Sequence, residues 1–147
     1  MTKRDTILVL EDAEDRVTWL KKIVEPLGYT VNWCLDVREF LQEAEGIRDE
    51  LALLVFDHDL GHAGPQQSDA AFDAHLLIKY DQDGRCGLDA ARMLGSHPIP
   101  AVVWSWNRDG RMAIANEIGM KGKVTKVFSA AFVASEDYAH QIKRLLR

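Results

Sequence analysis

The amino-acid sequence predicts a doubly wound α/β domain, with helices on both faces of a five-stranded parallel sheet. Short apolar runs alternate with segments of helical periodicity along the chain, in the order βαβαβαβαβα. The apolar runs lack polar alternation, which is typical of strands buried on both faces. A chain of 147 residues fits one hydrophobic core, so we expect residues 1–147 to form a single domain.

The chain begins with a predicted strand and helix. Residues 6–10 form an apolar, β-branched run, and Glu11 and Asp12 follow at its carboxyl end. Residues 14–27 then place apolar side chains along one side of a helix. Gly28 supplies the signal that ends this helix.

The second and third strands follow the same alternation. Residues 29–35 are predicted to form a strand, and Asp36 is a candidate N-cap for a helix that continues through Ala44. Residues 51–56 are the most apolar run of the chain and end abruptly at Asp57. The third strand is therefore predicted to be buried at the centre of the sheet.

A polar stretch separates the third strand from the next helix. Residues 62–86 include Gly64, Pro65 and the turn-like run DQDG at residues 81–84, and we predict that they form an insertion after the third strand. A short helix is predicted inside it, over residues 70–80. Ordered loops of this length are uncommon and are often functional.

The last part of the chain completes the sheet. A helix is predicted over residues 87–94 and the fourth strand over residues 101–104. The next helix is predicted over residues 109–118 and the fifth strand over residues 123–128. An amphipathic helix over residues 135–146 is predicted to close the domain.

Composition excludes several classes of protein. No apolar run approaches the ~20 residues that cross a bilayer, and the first residues lack a signal-peptide pattern, so we expect a cytoplasmic location and no membrane partner. The net charge of -5 argues against a broad nucleic-acid-binding surface. Cys34 and Cys86 lack metal-ligand spacing, and we expect both thiols to be reduced.

Polar residues follow the apolar strands at their carboxyl ends. In a parallel sheet these ends share one edge, and ligands bind outside it. The polar residues predicted at this edge are Glu11, Asp12, Asp57, His58, Asp59, Ser105, Asn107 and Lys126. The sequence therefore predicts that side chains far apart in the chain meet in one acidic pocket.

The acidic side chains are suited to bind a divalent cation. Mg²⁺ takes oxygen ligands, commonly carboxylates together with water and phosphate, and Mn²⁺ takes similar ones. The expected ligands are Glu11, Asp12, Asp57 and Asp59. Without a cation, crowded carboxylates would repel one another, which raises their pKa values. The alternative is that they are solvated acids at the ends of loops.

The other residues of the pocket are candidates for phosphate chemistry. Lys126 and Ser105 could bind phosphate oxygens, and Asp57 could attack phosphorus as a nucleophile. His58 could transfer a proton near neutral pH. Alternatively, Ser105 and Asn107 form the turn that starts the next helix, and His58 is a half-buried histidine bonded to the backbone.

These motifs resemble those of response-regulator receiver domains. Residues 7–12 resemble the first receiver strand and its acidic pair, and Asp57 and Ser105 lie at the phosphoacceptor and hydroxyl positions. Residues 119–128 align without a gap with the receiver motif that contains a functional lysine, here Lys126. The resemblance implies a receiver/flavodoxin-like fold with strand order 2-1-3-4-5. It also implies a stand-alone receiver that a histidine kinase or another phosphodonor phosphorylates on Asp57.

A second resemblance is to the cyclic-phosphate-processing receiver family. The segment FDHDLG at residues 56–61, the insertion after it, and WSWN at residues 104–107 are similar to the motifs of that family. This resemblance implies a metal-dependent, phosphoesterase-like enzyme that acts on a cyclic or terminal phosphate of a nucleotide or RNA end. Its catalytic residues would be Asp57, His58, Ser105, Asn107 and Lys126, with the metal on the acidic residues.

The sequence favours the enzyme hypothesis by a small margin. Receivers usually have an aromatic residue where this chain has Lys123, and they lack the long insertion. A module that keeps the fold and has lost the reaction is a third hypothesis.

Overall fold

The computed structural model of the chain describes residues 3–60 and 86–147. The predicted insertion over residues 62–86, with its helix over residues 70–80, lies outside the described residues except for Cys86. None of the described helices is both long and apolar enough to span a bilayer.

The predicted alternation of strands and helices is confirmed, with similar boundaries for most elements. The strands are β1 (Thr6–Leu10), β2 (Thr30–Cys34), β3 (Leu51–Phe56), β4 (Ala101–Val103) and β5 (Val127–Ser129). The helices are α1 (Glu14–Val24), α2 (Val37–Gly46), α3 (Gly87–Met93), α4 (Arg108–Gly119) and α5 (Glu136–Leu145). Short 3₁₀ turns follow α1 and precede β3.

The five strands form one parallel sheet in the order β2-β1-β3-β4-β5, which confirms the predicted doubly wound, receiver-like topology. β1 and β3 are almost entirely buried, because helices cover both faces of the sheet. Alternate residues of β1 divide between the faces. Leu8 packs with residues of α2, α3 and α4, whereas Ile7 packs with residues of α1 and α5.

Side chains at the helix ends explain where the helices start and stop. The predicted N-cap Asp36 is confirmed, since its carboxylate accepts a hydrogen bond from Glu39 N at 2.8 Å. Asn107 caps α4 in the same way, accepting from Gly110 N at 2.8 Å. Gly28 ends the first helical segment with a φ of +98°, a conformation that glycine adopts at little cost.

The fifth strand differs from the prediction of residues 123–128. It spans Val127–Ser129, and its first residue pairs with Ala101 at the start of β4. Aromatic packing after the strand is consistent with this register, because Phe132 packs edge-on against Trp104 with their ring centroids 5.2 Å apart. Burial of these rings therefore favours a later strand than the motif predicts.

Candidate metal and phosphate site

The predicted convergence of acidic residues is seen at the carboxyl ends of β1 and β3. Leu10 pairs with Phe56, so the residues that follow these strands meet at the edge of the sheet. One carboxylate oxygen each from Glu11, Asp12 and Asp57 lies within 4.8 Å of the other two. We call these three residues the carboxylate cluster. Glu11 and Asp57 are buried, and Asp12 is half-buried.

Burial makes the carboxylate cluster costly to ionise. It raises the pKa of Glu11 to about 7, and the nearby charge of Asp57 raises this pKa as well. Burial also raises the pKa of Asp57. The side chains of Glu11 and Ser105 and the charge of Arg16 lower this pKa and so offset part of the effect. A cation at this position would stabilise both carboxylates in their charged form.

Arg16, at the start of α1, brings a cation to the carboxylate cluster. Its Nη1 atom lies 3.2 Å from Glu11 Oε2 and 3.8 Å from Asp57 Oδ1. The other oxygen of Glu11 accepts hydrogen bonds from the backbone N–H groups of Asp12 and Ala13. Arg16 was not among the site residues expected from the sequence. A signal was present, because Arg16 precedes buried Leu20 by one helical turn and therefore shares its side of α1.

Ser105 reaches the carboxylate cluster from the end of β4. It is fully buried, and its hydroxyl lies close enough to Asp57 to lower the pKa of that carboxyl. Asn107 N donates to Ser105 Oγ at 3.1 Å, and Arg111 Nη1 donates to Ser105 O at 2.9 Å. The structure therefore brings Ser105 to Asp57 as predicted. The side-chain oxygen of Asn107 instead caps α4, which is the alternative noted for this residue.

His58 and Asp59 lie in a different cluster. The backbone N–H of His58 donates to Asp57 Oδ1 at 2.9 Å. The imidazole contacts Asp59 Oδ1 through Nδ1 at 2.7 Å and Cys86 Sγ through Nε2 at 3.6 Å. Asn107 Nδ2 also donates to Asp59 Oδ1, at 3.3 Å. The structure thus does not bring Asp59 into the carboxylate cluster, because its carboxylate is engaged by His58 and Asn107.

The surroundings of His58 differ from those expected of a proton-transfer group. The hydrogen bond to Asp59 raises the pKa of His58 to about 10, and a hydrogen bond to Cys86 adds to this effect, while burial lowers the pKa. The ring also packs closely on Gly110, which has no side chain to displace it. His58 therefore stays protonated near neutral pH, a state in which it can donate a proton but cannot take one up.

Lys126 lies toward the amino ends of the strands, whereas the carboxylate cluster lies at their carboxyl ends, so the structure does not bring Lys126 to the cluster as expected from the sequence. It precedes Val127, which pairs with Ala101, whereas Asp57 follows Phe56, which pairs with the last residue of β4. This difference of four residues corresponds to roughly 13 Å along the strands. Lys126 is exposed. The physical reason is the later start of β5, which leaves the lysine before the strand.

No family model and no curated protein matches the chain. Several solved structures do match, among them a CheY-like response regulator receiver domain protein from Methanospirillum hungatei, with 18% identity, a TM-score of 0.56, and coverage of 97% of this chain and 93% of that chain. A receiver domain protein from Clostridium thermocellum has 14% identity, a TM-score of 0.57, and coverages of 97% and 94%. A response regulator from Thermotoga maritima has 12% identity, a TM-score of 0.55, and coverages of 99% and 98%.

At these identities the comparisons show the fold alone. The resemblance to receiver domains is confirmed at the level of the fold, and the narrower resemblance to the cyclic-phosphate-processing family receives no support from them. The carboxylate cluster offers three oxygen atoms close to one another, and this set of donors suits a hard divalent cation such as Mg²⁺.

Binding of Mg²⁺ should depend on pH near neutrality. Glu11 has a pKa of about 7, so at lower pH it must release a proton before it binds the cation. We expect the association constant to fall about tenfold for each pH unit below 7 and to level off above it. Calorimetry in two buffers of different ionisation enthalpy measures both the affinity and the proton release. Affinity that is constant between pH 6 and 8, with no proton released, would contradict the expectation.

The raised pKa of Glu11 also makes the free energy of unfolding depend on pH when no metal is added. Between 4.5, the ordinary pKa of Glu11, and about 7, the folded chain binds more protons at Glu11 than the unfolded chain does. The contribution of Glu11 to the free energy of unfolding therefore decreases as the pH rises through this window.

Proposed function

We propose that this chain is a phosphoacceptor domain of the receiver type, which takes a phosphoryl group onto Asp57. The observation that carries the proposal is the meeting of Asp57 with Glu11, Asp12 and Ser105 at one edge of a receiver-like sheet. The carboxylate cluster would bind Mg²⁺ or Mn²⁺, and the phosphoryl group would come from a histidine kinase or a small phosphodonor.

The chemistry follows from where these groups lie. Bound Mg²⁺ would supply positive charge for the phosphoryl oxygens and relieve the repulsion within the carboxylate cluster. One oxygen of Asp57 forms a bond to phosphorus, and the bond from phosphorus to the donor's leaving group breaks, with its electron pair leaving on that group. The Ser105 hydroxyl, which lies beside Asp57, would donate a hydrogen bond to a phosphoryl oxygen.

The described residues support this proposal better than hydrolysis of a cyclic phosphate. The enzyme hypothesis assigns proton transfer to His58 and a metal contact to Asp59. His58 contacts Asp59 and Cys86, and it stays protonated near neutral pH. An acceptor requires only the nucleophile, the cation site and a hydrogen-bond donor, which Asp57, its acidic neighbours and Ser105 supply.

Incubation with acetyl phosphate and Mg²⁺, followed by intact-mass spectrometry, tests the proposal. We expect the wild-type chain to gain the mass of one phosphoryl group and Asp57→Asn to gain none, because an amide cannot form the acyl phosphate. Asp59→Asn is the matched control, since it makes the same change two residues away and outside the carboxylate cluster. This variant should still form the adduct.

Two results would reject the acceptor proposal. Hydrolysis of a 2′,3′-cyclic nucleotide by the wild-type chain but not by Asp57→Asn, with no adduct, would establish the enzyme hypothesis. Absence of both adduct and hydrolysis, with Mg²⁺ still bound, would show a binding module without the reaction.

A further inference from the structure

The positive charge that contacts the buried carboxylates comes from α1. Arg16 Nη1 lies 3.2 Å from Glu11 Oε2 and 3.8 Å from Asp57 Oδ1. The side chain of Arg16 is 18% exposed, compared with 0% for Glu11 and 6% for Asp57. Arg16 is therefore the more accessible partner in each of these two ion pairs.

The segment that follows β5 supplies no cation of its own to this site, and Arg111 of α4 donates there to the backbone oxygen of Ser105. Lys126 lies before β5, and residues 127–135, which form β5 and lead to α5, contain neither lysine nor arginine. The segment after β5 instead brings Phe132 to the level of Trp104, since Phe132 N donates to Trp104 O at 3.2 Å. The guanidinium carbon of Arg16 lies 5.5 Å from the centre of the Phe132 ring.

We infer that Arg16 is the phosphate-binding cation of this site and, until metal binds, the counter-ion of Glu11 and Asp57. A guanidinium can donate two parallel hydrogen bonds to a phosphoryl group, as it does to a carboxylate. Arg16 would therefore exchange its carboxylate partners for phosphoryl oxygens once Mg²⁺ neutralises Glu11 and Asp57. The phosphate-binding role of Arg16 rests on the proposed function. Its role as a counter-ion does not, because the contacts with Glu11 and Asp57 are present in the structure.

The two roles of Arg16 predict effects of opposite sign when its charge is removed. Mg²⁺ should bind more tightly, because a cation that repels it from the carboxylate cluster is gone. Phosphoryl transfer should become slower, because the transferring group loses a charged donor. A residue that only supports the fold would change both quantities in the same direction.

The experiment compares Arg16→Gln, Arg16→Lys and the matched control Lys126→Gln with the wild-type chain. For Arg16→Gln we expect the Mg²⁺ dissociation constant from calorimetry to fall about tenfold. The rate of adduct formation with acetyl phosphate at saturating Mg²⁺ should fall about 100-fold. Arg16→Lys should lie between Arg16→Gln and the wild-type chain in both quantities, and Lys126→Gln should match the wild-type chain.

Other outcomes overturn the inference. The phosphate-binding role of Arg16 is rejected if Arg16→Gln forms the adduct at the wild-type rate. It is also rejected if Lys126→Gln forms the adduct more slowly than the wild-type chain. Weaker Mg²⁺ binding by Arg16→Gln removes the counter-ion role. If Arg16→Gln does not fold, as judged by urea unfolding, the Mg²⁺ affinity is compared with that of Arg16→Met, which also removes the charge, and the adduct rate with that of Arg16→Lys, which loses the planar fork. A wild-type chain that forms no adduct rejects the proposed function instead, while the Mg²⁺ affinities still test the counter-ion role.

Discussion

Replacing Gly87 with alanine is expected to lower the free energy of unfolding by about 3 kcal/mol, the upper end of the cost of overpacking. Gly87 is the first residue of α3, and its N–H donates to His58 O at 3.0 Å. A Cβ atom there would lie 2.0 Å from Asp57 O and 2.9 Å from His58 Cα. Both are backbone atoms at the end of β3, so the clash cannot be relieved by rotating a side chain.

The same substitution should also weaken Mg²⁺ binding, because relief of the clash displaces Asp57 within the carboxylate cluster. Urea unfolding measures the stability, and calorimetry measures the affinity. Gly46→Ala is the matched control, since nothing lies within 4 Å of its Cβ position and its backbone is helical. That variant should be as stable as the wild-type chain or more stable by about 0.5 kcal/mol. Equal stability of the Gly87 variant and the wild-type chain would show that α3 does not approach β3 this closely.

Replacing Asp12 with asparagine is expected to weaken Mg²⁺ binding about 100-fold, because the affinity of an oxygen site depends strongly on the number of its charged ligands. Asp12 is the half-buried member of the carboxylate cluster, whereas Glu11 and Asp57 are buried. The change keeps the size of the side chain and one oxygen, so the loss of affinity reports the charge. Calorimetric titration with Mg²⁺ at pH 8, above the pKa of Glu11, measures it.

The Mg²⁺ affinity of Asp59→Asn distinguishes the metal-ligand role that the sequence predicts for Asp59 from the pairing that the structure shows. The sequence includes Asp59 among the metal ligands, whereas the structure pairs its carboxylate with His58 and Asn107. We therefore expect its Mg²⁺ affinity to stay close to that of the wild-type chain. An equal loss of affinity in both variants would return Asp59 to the metal site and contradict the division into separate clusters.

Much of the site was predictable because it depends on position along the strands. The buried runs that end at Leu10 and Phe56 are continuous and apolar, and their lengths determine which residues come next. Parallel pairing then brings Glu11 next to Asp57, with no further information needed. For the same reason Ser105, just after β4, was correctly expected near Asp57.

Residues whose role depends on direction or register were not predictable in this way. A motif aligned without a gap does not determine which residue of β4 each residue of β5 pairs with. In the observed register Phe132 packs against Trp104, and Lys126 lies before β5, toward the amino ends of the strands. The spacing of Arg16 from Leu20 indicates that Arg16 faces the sheet, but a pattern within α1 cannot reveal that its partners are Glu11 and Asp57, which follow β1 and β3.

The sequence by itself determined the order of the strands and helices and which acidic residues follow β1 and β3. These features depend on local periodicity and on where apolar runs stop. Only the tertiary structure decided that the side chains of His58 and Asp59 pair with each other and that Arg16 of α1 contacts the carboxylate cluster. Those outcomes depend on how helices and aromatic rings pack against the sheet, and packing energy is shared among residues that are distant in the chain.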